Sequence, residues 1–232
     1  MPRPPDPHAR DALVAAARAE FAKKGLRGAR IEDITAACGL SKGAFYLHFD
    51  SKEALFQTLV DAFMEEMTVC ADCRIEGATR LFKEHGRITP EDFRRGTPRL
   101  VRFIDYECAE DLRVLEALWK YRDVCDVLIS GCQGTKFEGL LWEVLDAEQV
   151  RVADVHRQFQ EAGVCRDDVP AELFGALVIG TYLLVAKTMA RAKDKPDLEM
   201  WARTLQRLIR EGSLPRDQKR PAASTVRKRS AR

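Results

Sequence analysis

The stretch IEDITAACGLSKGAFYLHFDSKEALF, residues 31–56, constrains the chain more than any other. Two short helical patterns flank a single glycine, Gly39, and a longer helical pattern follows. Ile31, Ile34 and Cys38 share one helical face, and Gly39 supplies the left-handed backbone that glycine alone adopts without cost. Ser41 is placed to cap a second helix over residues 42–49. Asp50 or Ser51 caps the next helix, with Glu53 early in its first turn to suit the helix dipole. This spacing predicts a helix-turn-helix, a unit that lays its second helix in the DNA major groove.

The second helix carries residues suited to that task. Lys42 stands at a helix N-terminus, where a cation gains nothing from the dipole and would gain from a phosphate. Gly43 and Ala44 are small enough for a close backbone approach to base edges, and Ala44 could pack on a thymine methyl. Tyr46 and His48 put polar tips on apolar bodies, while Phe45 and Phe49 point to the core. On spacing alone the same pattern also describes an ordinary helical hairpin with solvated Lys and His.

GLSKGAFYLHFDSKEALF resembles the signature of TetR-family transcriptional regulators: Gly, apolar, Ser, two small or polar residues, an aromatic Tyr, His-Phe, then Ser-Lys-Glu-x-Leu. The resemblance covers about residues 10–57. It implies a non-enzymatic, ligand-responsive DNA-binding protein, most often a repressor, that reads a palindromic operator as a homodimer. It implies phosphate contacts from Tyr46, His48 and Lys52, and base or backbone contacts from Ser41, Lys42, Gly43 and Ala44. One departure stands out. Where the family has a capping Thr or Ser at the start of the first helix of the motif, this chain has Ala29-Arg30. Arg30 would replace the phosphate contact with a full charge and lose the cap. Thr35 stands where the family usually has Ala.

Charge is distributed in the same sense. Residues 1–50 carry eight Lys/Arg against six Asp/Glu, residues 51–212 carry 23 against 29, and residues 213–232 carry seven against one. A basic head and a basic tail flank an acidic body, which suits phosphate contact at the ends. The divisions expected are a disordered leader (1–6), a three-helix DNA-binding domain (7–50), a helical regulatory and dimerisation domain (51–212) and a disordered basic tail (213–232). The N-terminus shows no secretory pattern. The apolar run 173–186 reads as too short to span a bilayer, so a cytoplasmic protein that does not enter membranes is expected.

The body is read as all-α, with nine or ten helices in the whole chain, because no stretch alternates with period two. Gly25 ends the first helix, and Pro98 splits or bends a helix that opens at Thr89-Pro90. One helix is expected to run from Leu115 to Cys132, another from Phe137 to Gly163 and a nearly all-apolar one from Pro170 to Ala192. The last runs from Asp197 to Gly212. The apolar helix needs cover on more than one side, and Gly175, Ala176 and Gly180 allow close approach. GVCRDDVPAELFGALVIGTYLLVA resembles the region of the penultimate helix in TetR-type proteins, where the two C-terminal long helices pair across a dimer. The resemblance also implies an effector pocket. Phe63, Met67, Phe103, Trp119, Phe137, Trp142 and Phe159 are its candidate lining, for a small apolar or amphipathic molecule such as an acyl thioester.

Seven cysteines without a secretory signal argue for reduced thiols. Cys70 and Cys73 form a C-x-x-C on one helical face. They carry the alternative of a thiol- or metal-sensing regulator and, more remotely, of a cysteine-based redox or metal enzyme. No second metal-binding pair accompanies them, and no cofactor is implied.

Overall fold

The structure, a computed structural model, describes residues 7–213. The expected leader, residues 1–6, and the basic tail beyond residue 213 lie outside the described residues. Among those described there are ten helices and no strand: α1 (Pro7–Gly28), α2 (Ile31–Ala37), α3 (Lys42–Tyr46), α4 (Lys52–His85), α5 (Pro90–Arg95), α6 (Pro98–Lys120), α7 (Arg122–Ser130), α8 (Leu140–Glu161), α9 (Ala171–Arg191) and α10 (Leu198–Ser213).

The punctuation read from glycine, proline and capping residues holds. Gly25 interrupts α1 with φ 68° and ψ 170°. Ser41 and Ser51 cap α3 and α4 by accepting the amides of Ala44 and Ala54. Pro98 opens α6 behind a Thr97 cap, separating it from α5. Thr89 and Asp92 form a capping box at α5, the Thr89 amide donating to Asp92 Oδ2 at 2.9 Å.

Three boundaries differ from expectation. Helix α3 stops at Tyr46, not at Phe49: Leu47 and His48 close tight i to i−3 bonds to Ala44 and Phe45, and Ser51 must be extended to cap α4. Leu115 and Cys125 are not on one helix. The backbone breaks at Tyr121 (φ −111°, ψ 19°) between α6 and α7, where Arg122 Nη1 takes the freed Trp119 carbonyl at 2.9 Å. Phe137 precedes α8 in a compact turn, since Gly139 at φ 91° separates them. Helix α9, 21 residues, is also longer than the apolar run inside it and meets the length and composition for crossing a membrane. The run 173–186 omitted both its ends, including Arg191 in its last turn. It packs on α8, α7 and α6.

One apolar core links head and body. Leu13, Ala17 and Phe21 of α1, Ile34 of α2 and Phe45 of α3 continue into Leu55, Phe56, Leu59, Val60 and Phe63 of α4. Phe56 meets Phe21 edge-on at 5.3 Å on one side and Phe137 at 5.0 Å on the other. A second, smaller cluster at the far end joins Ile88, Leu100 and Val164 with Phe82, Phe103 and Phe159.

Candidate nucleic-acid interface

The turn between α2 and α3 is built from local chemistry. Gly39 takes φ 69°, and the Leu40 amide returns to the Thr35 carbonyl at 2.9 Å. Thr35 is buried, its hydroxyl donating to the Glu32 carbonyl at 3.1 Å, so a polar residue is tolerated where an alanine would also fit. With Ile34 and Phe45 fully buried, the opposite faces of α2 and α3 turn outward.

That outer face gathers most of the residues expected to touch DNA. Arg30, Ser41, Lys42, Gly43 and Tyr46 are exposed, and Ala44 and His48 are half-buried. Arg30, Lys42, Tyr46 and Lys52 line one open cleft together with Glu32, Asp50 and Glu53. The roles within it differ. Ser41 is occupied in capping α3. Arg30 stands at the N-cap of α2 and makes no side-chain cap, so its charge is presented outward. Gly43 is not demanded by the fold: a Cβ there would come no closer than 3.6 Å, to Ser41 Oγ. Its smallness is available to whatever approaches from outside.

The two lysines separate clearly. Lys42 Nζ donates to Glu32 Oε1 at 2.6 Å, and both side chains are exposed. The shared hydrogen bond raises the lysine pKa and lowers that of the carboxylate. Lys52 Nζ instead donates to the carbonyls of Arg27 and Ala29 at 3.0 and 2.8 Å. Two of its three hydrogens tether the α1–α2 connection, so Lys52 is first a structural clamp, with one donor left for a phosphate. The sequence carries no signal for this, because the clamp spans 23 and 25 residues.

The seven side chains expected to line an effector pocket are not brought together. Phe63 and Phe137 are buried in the main core, with Met67 and Trp119 packed against it. Phe103 and Phe159 belong to the far cluster, their rings 6.1 Å apart. Trp142 lies outside both, 52% exposed on α8. Helical periodicity shows which residues share a face, not which other helix that face meets.

A polar cluster that the sequence reading missed lies among α4, α6, α9 and α10. Arg74 of α4 donates to Glu107 Oε2 at 2.8 Å and to Asp111 Oδ1 at 2.5 Å, both on α6. Gln206 of α10 donates to Asp111 Oδ2 at 2.7 Å, and the Tyr106 hydroxyl donates to the Arg74 carbonyl. Burial opposes the Arg74 charge, but Glu107 and Asp111 more than offset it and its pKa is raised. Burial pushes the Glu107 carboxyl up. The available signal was Asp111 standing in register with Leu115 and Leu118 on the apolar face of α6.

The C-x-x-C pair is weakly equipped as a sensor. Cys70 is buried against α6, Sγ 4.0 Å from the Arg113 carbonyl, and burial pushes its thiol pKa up. Cys73 lines a groove with Tyr106 and Arg113. Among the described residues, no three His, Cys, Asp or Glu side chains cluster as metal ligands. Cys125 and Cys132 are buried, their pKa values pushed to about 12 and about 11.

A capped helix-turn-helix near the N-terminus of an all-helical fold, with Arg30, Lys42, Gly43 and Tyr46 exposed on its outer face, is the organisation of the helix-turn-helix DNA-binding proteins. The model of the family "Bacterial regulatory proteins, tetR family" matches residues 13–59. Relatives include the uncharacterized HTH-type transcriptional regulator YerO of Bacillus subtilis (strain 168), 52% identical over 44 residues, 19% of this chain and 15% of that protein. The HTH-type transcriptional repressor KstR2 of Rhodococcus jostii (strain RHA1) is 38% identical over 47 residues, 20% and 23% of the two chains. The matched stretches thus span less than a quarter of either relative. The solved structure of the ketosteroid transcriptional regulator KstR2 of Mycobacterium tuberculosis has the same fold, with TM-score 0.62 and 18% identity over 89% of this chain and 95% of that one. The probable transcriptional regulatory protein RHA5900 gives TM-score 0.65 at 17% identity, over 88% and 97%. Residues 13–59 thus match the TetR-family DNA-binding domain, and the described chain shares its overall fold with these solved regulators.

Proposed function

We propose that this protein is a ligand-responsive repressor that binds a palindromic operator as a homodimer. The observation that carries the reading is the outer face of α2 and α3, where Arg30, Lys42, Gly43 and Tyr46 stand exposed on a turn held by Gly39 and the Ser41 cap. Tyr46, His48 and Lys42 take phosphates in this reading, and Gly43 and Ala44 allow the backbone of α3 to approach base edges. Two heads are needed because one five-residue helix with few free cations offers little contact.

The dimer is supported by an uncovered stripe on α9. Leu173, Leu177 and Leu184 are 53%, 59% and 64% exposed, and Val150 of the neighbouring α8 is 60% exposed. Helix α10, expected as half of the dimer surface, turns its apolar side onto α6, so α8 and α9 are the better pair. The proposed effector is a small apolar or amphipathic molecule housed in the body, whose binding alters the spacing of the two heads.

The test is selection of duplexes from a random-sequence pool with the full chain, followed by titration of small apolar ligands, including acyl thioesters, against the bound duplex. A palindromic sequence, affinity falling steeply with salt, and release by one ligand class are expected. No enrichment of any sequence would refute the DNA-reading role; enrichment without release by any ligand would refute responsiveness.

A further inference from the structure

Helix α7 is fastened along α1, the first helix of the DNA-binding head, at both of its ends. At its start, Arg18 of α1 forms a two-toothed bond to Asp123: Nε to Oδ2 at 2.6 Å and Nη2 to Oδ1 at 2.5 Å. The same Nη2 donates to the Lys120 carbonyl at 2.6 Å, and the guanidinium lies 5.7 Å from the Tyr121 ring centre. At its other end, the Leu26 amide donates to the Gly131 carbonyl at 3.0 Å. Gly25 and Gly131 meet so closely there that a Cβ on Gly25 would stand 3.1 Å from Gly131 O. The two fastenings are eight residues apart in sequence, one on the regular part of α1 and one just past its break at Gly25, so α7 can neither swing nor slide on the head without breaking one of them.

On its other side α7 packs against α9, the helix with the uncovered apolar stripe. The recognition helix α3 rests on α1 through the core formed by Leu13, Ala17, Phe21, Ile34 and Phe45. A contiguous path therefore runs from the proposed dimer face to the DNA-reading helix through α9, α7 and α1, separate from the covalent route along α4. The Arg18–Asp123 bond is a directional, charge-assisted link on that path, and a planar guanidinium held bidentately fixes an angle as well as a distance.

We propose that Arg18 and Asp123 are a positioning pair that sets the orientation of each head relative to the dimer face, and so the separation of operator half-sites the protein accepts. The inference rests on the dimeric DNA-binding reading above. Neither residue lines the cleft formed by Arg30, Lys42 and Tyr46. Each base pair added between half-sites rotates one of them by roughly 34–36° and shifts it along the axis, so a loosened head should tolerate spacings that a fixed head rejects.

The test uses the full chain and the duplex selected by the wild type, with copies one base pair longer or shorter at the centre and a random-sequence duplex. Arg18→Gln, Asp123→Asn, the double variant and Arg18→Lys are compared. Both single variants are expected to lose about tenfold on the selected duplex, to change little on the random one, and to discriminate less between spacings. The double variant should be no worse than either single one, and Arg18→Lys should recover only part of the loss because an ammonium cannot form the fork. A merely structural role predicts lowered melting temperature with equal loss on all duplexes, and that result would overturn the proposal. So would unchanged spacing preference in a folded Asp123→Asn protein, which keeps the side-chain shape if Arg18→Gln fails to fold. A wild type that selects no duplex would overturn the DNA-binding reading and this inference with it; a selecting wild type with unaltered variants overturns the inference alone.

Discussion

Gly175→Ala tests how α9 is seated. A Cβ on Gly175 would stand 2.5 Å from the Gln149 carbonyl oxygen, 3.3 Å from Gln149 Cγ and 3.4 Å from the Ala153 amide nitrogen. The nearest and third of these atoms are backbone of α8, so no rotamer change removes the clash. Reaching ordinary contact at 3.4 Å requires α8 and α9 to part by about 0.9 Å (3.4 less 2.5) at this point. The neighbouring residue, Phe174, stacks on His156 with ring centres 3.9 Å apart and planes 12° from parallel, and that stack would open too. Overpacking of this kind costs about 1–3 kcal/mol, and the backbone clash argues for the upper end. Against it, alanine gains about 1 kcal/mol over glycine inside a helix. The net is a loss of about 2 kcal/mol, or about 4–8 °C in melting temperature for a chain of this length. Thermal unfolding by circular dichroism, at matched protein concentration, measures it. A variant that melts at or above the wild type would show that α8 and α9 are not in backbone contact at Gly175.

Gly43→Ala should not lower stability, because its Cβ meets nothing closer than 3.6 Å, yet it should weaken binding to the selected duplex; equal affinity in a binding titration would remove the close-approach role. Leu177→Arg puts a charge in the α9 stripe and should convert the protein to monomers in sedimentation velocity, with operator affinity falling in parallel; a persisting dimer would place the interface elsewhere. Arg74→Met strands Asp111, which is almost fully buried, and should cost about 3–5 kcal/mol in urea denaturation, whereas a loss below about 1 kcal/mol would mean the cluster is well hydrated. His156 is buried with Nε2 unpartnered, and burial lowers its pKa. The unfolded chain therefore binds the proton more readily, so this residue's contribution is complete above about pH 6.5 and is lost as pH falls below that value. His156→Phe should keep the stack on Phe174 and reduce the fall in melting temperature between about pH 7.5 and 5.5; an unaltered slope would assign the fall to carboxylates instead.

Features with local causes were legible from the residues alone. Gly39, the Ser41 cap, Thr89-Pro90 and Pro98 act on backbone within a few residues of themselves and stand where expected, and of Asp50 and Ser51 it is Ser51 that caps α4. The outer face of α3 was legible for the same reason, because alternation of Phe45 and Phe49 with Tyr46 and His48 sorts a short segment into an inner and an outer side. Arg30 makes no side-chain cap to α2 and is exposed, as its charge in place of a capping hydroxyl led one to expect.

The remaining features depend on how the helices meet. In the sequence Lys52 looks like an uncommitted cation, and only the fold brings the Arg27 and Ala29 carbonyls beside it. The seven presumed pocket residues share hydrophobicity but not a location, because their helices meet different neighbours. Gly175 and Gly180 look alike in sequence, yet one presses on the backbone of α8, whereas a Cβ on the other would meet no neighbouring helix among the described residues. Arg18 and Asp123 are 105 residues apart, and Arg74 and Asp111 are 37 apart. Periodicity and capping describe a helix relative to itself, whereas these pairings depend on how helices are set against one another, which no local rule contains.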